Sequence, residues 1–387
     1  MTRRRKARHV ALSAVVAAAI AAAFALGAYL QGGGSLWDAF SFGGASGGAT
    51  RTVVDSVGRE VQIPEEPQAI AALDSFSGDV CVLAGADERL MGAPNGVRSN
   101  VMLQQLYPGL SQTAVLSGDT VNIETMAAEG VDVALVRREM HDAGEETAKL
   151  DQLGIPYVVV DYEDVEGQIA AIRLVGDVCG GDAARKADEI ADKYQEAVDL
   201  VEERAALVSD DERVRVYHSI NDALLTDGVE SLGADWIARC GAVDVSADAQ
   251  GSGTLGDYSA TLEQVYVWDP DVIICNTAEA ADYIASEASW AGLSAVEEGR
   301  VYNLPVSTSR WGQRGDPETF LGMLWLGKTI YPDLYADFDL KEWTVSYYRD
   351  VIGLDVDDQL WERILAGEDM RAQGSGTGGG SGSGGGA

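Results

Sequence analysis

Between Arg51 and Gly367, short continuous apolar runs alternate with stretches whose apolar positions recur every three or four residues. That alternation predicts strands and helices following one another in α/β units. Six runs predict strands, at 69–73, 131–136, 157–160, 214–217, 272–275 and 301–304. Most are apolar throughout, as suits strands covered on both faces. Residues 186–207 are amphipathic at helical spacing and predict one long helix, entered after the Gly180-Gly181 break with Asp182 as its N-cap. The pattern also repeats. Asn122-Ile-Glu-Thr-Met leads into Gly130-Val-Asp-Val-Ala-Leu-Val, and Thr261-Leu-Glu-Gln-Val leads into Asp269-Pro-Asp-Val-Ile-Ile-Cys. Each is a capped short helix, a turn and a buried strand, so the folded part reads as two similar halves. Each repeat carries one acid at the same place, Glu124 and Glu263. The plain reading is a first-turn acid favoured by the helix dipole.

The ends of the chain follow other rules. Residues 1–9 are basic, and Val10 to Leu30 is a run of 21 residues without a charge. Residues 1–30 therefore predict an export or anchor segment, with the basic end held in the cytoplasm and the remainder outside. The run is longer than the apolar part of most cleaved signals, so a retained anchor over 10–30 and a cleaved signal both stand. No Cys follows it for lipid attachment. Residues 31–50 are Gly/Ser/Ala-rich and predict a flexible linker. Nine of the fourteen residues from Gly374 onward are Gly, so 373–387 predicts a disordered tail.

Charge narrows the function. The 387 residues carry 62 Asp and Glu against 28 Lys and Arg, a net charge of -34. Five of the positive charges lie before His9, so the rest of the chain carries -39. Such a surface argues against binding nucleic acid or anionic lipid. Four Cys remain, at 81, 179, 240 and 275. Bridges Cys81–Cys179 and Cys240–Cys275 would each stay within one half; free buried thiols are the other reading. With no CxxC and only His141 and His218 in the folded part, a zinc site is not expected. There is no G-x-S-x-G and no H-E-x-x-H, and Gly251-Ser-Gly-Thr-Leu-Gly lacks the Lys of a phosphate loop. Enzyme activity is not expected.

Several segments together resemble a known family: Val53-Val-Asp-Ser-Val-Gly-Arg-Glu-Val-Gln-Ile-Pro, Pro67-Gln-Ala-Ile-Ala-Ala-Leu, Thr226-Asp-Gly, Cys240-Gly-Ala, Trp290-Ala-Gly-Leu-Ser-Ala-Val-Glu-Glu-Gly-Arg-Val-Tyr and Gly322-Met-Leu-Trp-Leu-Gly-Lys-Thr-Ile-Tyr-Pro. Their order over 51–365 is similar to that of the extracytoplasmic substrate-binding proteins of ABC importers that handle ferric siderophores, haem and cobalamin. The resemblance implies two α/β lobes, 51–181 and 209–372, joined by a single long helix at 182–208, with ligand in the cleft between them. It implies a permease and its ATPase as partners, a monomer, and Glu124 and Glu263 as the acids that meet arginines on the permease. A sensor that keeps the fold without transport is the remaining alternative.

In open α/β sheets ligands sit outside the carboxyl ends of the strands. The side chains that follow the predicted strands, or lie in the adjoining loops, are Phe76, Arg98, Arg137, Arg138, Tyr217, His218, Arg310, Trp311 and Arg314, with Asp74, Asn95, Asn221 and His141 beside them. Five Arg in cleft loops of a very acidic chain suit an anionic ligand, which guanidinium groups can fork. Trp311, Tyr217 and Phe76 could pack on a chelate. The expected cargo is a ferric siderophore, with haem, cobalamin or an oxyanion such as molybdate as alternatives, and no resident cofactor. Each residue also has a plainer reading: Arg137 and Arg138 paired with Glu139, Asp142 and Glu145, Arg310 and Arg314 paired with Asp316 and Glu318, Trp311 in lobe packing, and His218 as a satisfied core histidine.

Overall fold

The structure is a computed structural model that describes residues 49–116, 123–249 and 257–372. The apolar run 10–30, the linker up to residue 48, Asn122, the Gly251-to-Gly256 loop and the tail from 373 lie outside the described residues. Among the described residues no helix is long and apolar enough to cross a membrane.

The chain enters as an antiparallel hairpin, β1 (Thr50–Val54) and β2 (Glu60–Pro64), in which Arg51 faces Ile63. The first sheet then forms from β3 (Ile70–Ala72), β4 (Leu90–Ala93), β5 (Ala114–Val115), β6 (Val133–Val136) and β7 (Tyr157–Val159), in the order β5-β4-β3-β6-β7. All its pairings are parallel. Its central strands are buried along their whole length, which explains why they read as unbroken apolar runs.

The second sheet uses β8 (Arg215–Ser219), β9 (Leu225–Thr226), β10 (Val243–Asp244), β11 (Tyr258–Ser259), β12 (Val272–Cys275) and β13 (Val301–Asn303). Strands β8, β12 and β13 are parallel neighbours, β10 pairs parallel with β8, and β9 and β11 extend the edge antiparallel. Every predicted strand matches an observed one. The hairpin and the strands of two to four residues, β4, β5, β9, β10 and β11, are too brief to leave a period of their own.

Between the sheets run two antiparallel helices, Val165–Cys179 and Gly181–Ala205. Asp164 caps the first by accepting from Gly167 N at 2.7 Å. The turn between them places Gly180 at φ +71° and Gly181 at φ +56°, a region that glycine enters without strain. The second helix therefore starts at Gly181 with Gly180 as N-cap, and Asp182 is a first-turn acid instead of the expected cap. The long helix buries Ala183, Ala187, Ile190, Ala191, Tyr194, Ala197, Val198 and Val201, one helical face.

A single core cluster runs from the first sheet across this helix into the second lobe, where Tyr194 meets Phe320 with ring centroids 4.9 Å apart. Polar ties cross the same seam. Asn100 Nδ2 donates to the carbonyls of Ser307 (2.9 Å) and Thr308 (2.8 Å), and Gln168 Nε2 donates to the Asp316 carbonyl (2.8 Å). Lobes sharing packed core and buried hydrogen bonds resist large hinge motion. All four Cys are buried and free. Cys81 and Cys179 Sγ stand 3.7 Å apart, whereas Cys240 Sγ faces the Met323 carbonyl and Cys275 belongs to a separate core cluster.

Candidate functional site

The carboxyl ends of β3, β6 and β7 face those of β8 and β12, and the loop 312–315 closes the gap. Together they enclose a cavity of about 430 Å³. Asp74 and Ser75 enter from β3, Arg137 from β6, Tyr162 from β7, His218 from β8 and Asn276 from β12. This is where strand-end geometry places ligands in α/β sheets.

His218 is 2% exposed. Its Nδ1 lies 2.6 Å from Asp227 Oδ2 and its Nε2 2.9 Å from Asn276 Oδ1. Two acceptors on two ring nitrogens suit an imidazolium that donates both ways. Burial alone would lower its pKa; the Asp227 charge and the two hydrogen bonds outweigh that and raise it. Asp227 reaches this position because Gly233, in the helix Leu232–Arg239, has no side chain. A Cβ there would lie 2.1 Å from Asp227 Oδ1. Behind it, Asp244 Oδ1 accepts from Ser246 N (2.8 Å) and Oγ (2.7 Å), and burial together with Asp227 pushes the Asp244 carboxyl up to about 7.

Three arginines meet on the opposite side, where Arg137 and Arg314 line the cavity and Arg138 lies outside the lining. Arg138 Nε binds Asp161 Oδ2 at 2.5 Å. Arg314 crosses from the second lobe to Glu139 (2.8 Å) and Asp161 (3.3 Å), and its carbonyl accepts from Tyr162 Oη. Arg137 Nε makes a 3.6 Å ion pair to Glu139 Oε2, and the guanidinium stands 5.8 Å from the Tyr162 ring centre. Its Nε and Nη2 are buried and have no hydrogen-bond partner among the described residues. Across from it, Asp74 caps the helix Ser75–Leu83 with Oδ1, which accepts from Ser77 N at 2.9 Å, while Oδ2 is buried with no hydrogen-bond partner among the described residues. Burial raises the Asp74 pKa despite the nearby Arg137.

Of the residues predicted from sequence, Arg137, His218 and Arg314 line the cavity, as do Asp74 and Asn221 from beside them; Arg138 does not. Phe76 is fully buried and packs on Tyr162 at 4.6 Å, behind the wall. Tyr217 points to the opposite face of β8 from His218 and donates to the Ala223 carbonyl at 3.0 Å. Trp311 is fully buried and donates to Ser307 Oγ at 2.8 Å. Arg98 donates to the Ser111 carbonyl and Arg310 to Gln313 Oε1, both outside the lining. His141 lies 3.4 Å from Tyr157 Oη. Asp316 and Glu318 are fully buried and pair with neither Arg310 nor Arg314; Glu318 Oε2 accepts from Ser307, Thr308 and Tyr348. Glu124 and Glu263 are exposed in the first turns of the helices Ile123–Glu129 and Leu262–Trp268. Sequence reasoning left out Tyr162, Asp227 and Asn276. Asn276 directly follows a predicted strand and Asp227 sits in Thr226-Asp-Gly, so both carried a signal. Among the described residues no cluster of three or more His, Cys, Asp or Glu is placed to hold a metal ion.

Residues 70–308 match the family model described as "Periplasmic binding protein". The chain belongs to that family. This binding protein is 25% identical over 325 residues to the molybdate-binding protein MolA of Haemophilus influenzae, covering 78% of its own length and 90% of the relative. The solved structure of MolA bound to molybdate superposes with a TM-score of 0.70 at 24% identity, over 79% of this chain and 99% of that one. Helicobacter pylori CeuE with Ni(II) bound superposes with a TM-score of 0.67 at 19% identity, over 81% and 99%. The binding protein is therefore the extracytoplasmic substrate-binding component of an ABC transporter, with a permease as its partner, and not an enzyme.

Proposed function

We propose that this protein captures a small oxyanion of the molybdate class in its cleft and delivers it to an ABC permease. The carrying observation is Arg137, with two buried guanidinium nitrogens beside the cavity and no hydrogen-bond partner for them among the described residues. A buried charged donor without a hydrogen bond is costly, and an oxyanion that accepts from both nitrogens removes the cost. His218 and Arg314, each held by acid partners, line the same space.

The oxyanion is favoured over the ferric siderophore because the aromatic side chains expected to pack on a chelate, Phe76, Tyr217 and Trp311, are buried away from the cavity. The likeness to MolA over most of both chains supports the same ligand class. Tethering to the membrane through residues 10–30 belongs to the proposal as well.

Trp236 is the reporter for the test, with its ring 6.0 Å from His218. The purified protein is titrated with molybdate, tungstate, sulfate and phosphate, and in parallel with a ferric catecholate, haem, cobalamin and Ni(II). A saturable response to a tetrahedral oxyanion, weakened at least about 100-fold by Arg137→Met, is expected from the loss of two charge-assisted bonds. Saturation by a chelate or by Ni(II), with no response to any oxyanion, would overturn the proposal.

A further inference from the structure

Charge around the cavity sets a problem for any anion. The lining holds five carboxyl side chains, Asp74, Glu163, Asp227, Glu230 and Asp257, against three cationic ones, Arg137, His218 and Arg314. Asp227 is occupied by His218, and Arg314 by Glu139 and Asp161. Of the four other carboxyls, Asp74 is the one whose charge Arg137 opposes; it is 7% exposed, with one oxygen capping a helix and the other buried with no hydrogen-bond partner among the described residues. Unsatisfied donors and an unsatisfied acceptor therefore stand together in the wall of the cavity, among the described residues. A fully deprotonated dianion satisfies the donors but sets its own oxygens against the Asp74 lone pairs.

Resting on the oxyanion reading above, we infer that the cleft binds its anion together with one proton, shared between Asp74 Oδ2 and an anion oxygen. The charged and titratable groups facing Asp74 are few. Arg137 and Glu139 come from beyond β6, Tyr162 from beyond β7, and Asp79 and Cys81 from its own helix. Arg137 is the cation among them, and burial of Asp74 outweighs it, so the carboxyl holds a proton more readily than a free aspartate. Whether the proton is written on Asp74 or on the anion, the bound complex contains one more proton than the separated partners at a pH where both are ionised. Affinity then falls about tenfold per pH unit across that range.

The site would thus favour anions that share a proton readily. Asp74→Asn supplies a permanent donor in place of the proton and keeps a good helix cap. The test is calorimetric titration of the full chain with molybdate at about pH 6, 7 and 8, each in two buffers of different ionisation enthalpy. Wild type is expected to take up about one proton per anion as pH rises. Asp74→Asn is expected to take up none, to match wild type at the lowest pH and to bind more tightly than wild type at the highest. Binding without proton uptake in wild type would overturn this inference and leave the oxyanion reading standing. Uptake that survives in Asp74→Asn would assign the proton to His218 or another group and equally overturn it. No binding of molybdate, tungstate, sulfate or phosphate would remove both.

Discussion

Gly233→Ala should damage the cleft through one contact, and its sign should reverse when that contact is removed. The new methyl carbon would lie 2.1 Å from Asp227 Oδ1 and 2.2 Å from both Oδ2 and Cγ, so the carboxylate must leave its place. Leaving breaks the 2.6 Å bond to His218 Nδ1, a charge-assisted interaction of roughly 1.5–3 kcal/mol. Crowding a packed site adds about 1–3 kcal/mol. Against this, Ala in place of Gly in a helix returns up to about 1 kcal/mol. The net expectation is destabilisation of roughly 1.5–6 kcal/mol, with a fall in the His218 pKa, since Asp227 is what holds it up. In an Asp227→Ala background the methyl meets no carboxylate, and the same substitution should stabilise by a few tenths to about 1 kcal/mol. Urea denaturation followed by circular dichroism on the four proteins of this cycle measures both signs. An equal cost in the two backgrounds would refute the reasoning, because the damage would then not pass through Asp227.

Stability should fall as pH rises from acid through neutral. His218, Asp74, Asp79, Asp244, Asp316 and Glu318 all hold protons more tightly in the folded protein. Their contribution is complete below the unfolded pKa values and is lost as pH climbs through the folded ones, about 7 for Asp244. The melting temperature at about pH 8 should lie below that at about pH 5, and the reverse order would refute the assignment. Refolding with oxidised glutathione should join Cys81 to Cys179, which start 3.7 Å apart and close a 98-residue loop, with the loss of two hydrogens in intact mass and a gain of up to about 4–5 kcal/mol. A Cys240–Cys275 bridge, or no bridge, would contradict the geometry. Replacing Glu124 and Glu263 together with Ala should abolish uptake by cells carrying the transporter and leave anion affinity unchanged, since both are exposed and neither lines the cavity; a loss of affinity would place them in the site instead.

The fold was legible because buried parallel strands and an amphipathic helix leave long, regular patterns. The site was legible only to the level of strand ends. Tyr217 and His218 show the limit and how it could have been passed. Both sit in β8, and successive strand residues face opposite sides of the sheet, so at most one of them could reach the cleft. Phe76 and Trp311 follow strands as expected, but an aromatic ring at a strand end can turn inward, and here Tyr162 and Ser307 receive them there.

What no local pattern could reveal is how acids and bases are shared across the two lobes. Arg314 finds Glu139 and Asp161 at separations of 175 and 153 residues, and Arg138 takes the other oxygen of Asp161. Three arginines thus converge on two carboxylates. Arg138 and Arg314 sit at hydrogen-bonding distance, and Arg137 is left at 3.6 Å from Glu139. Read along the sequence, Arg137 and Arg138 are adjacent and equivalent. The fold separates them by giving Arg138 a hydrogen-bonded carboxylate and Arg137 only a longer ion pair among the described residues. An arginine held buried with donors to spare carries a cost until something accepts from it, and in a chain of net charge -34 its place beside a cavity is the reason for proposing an anion there.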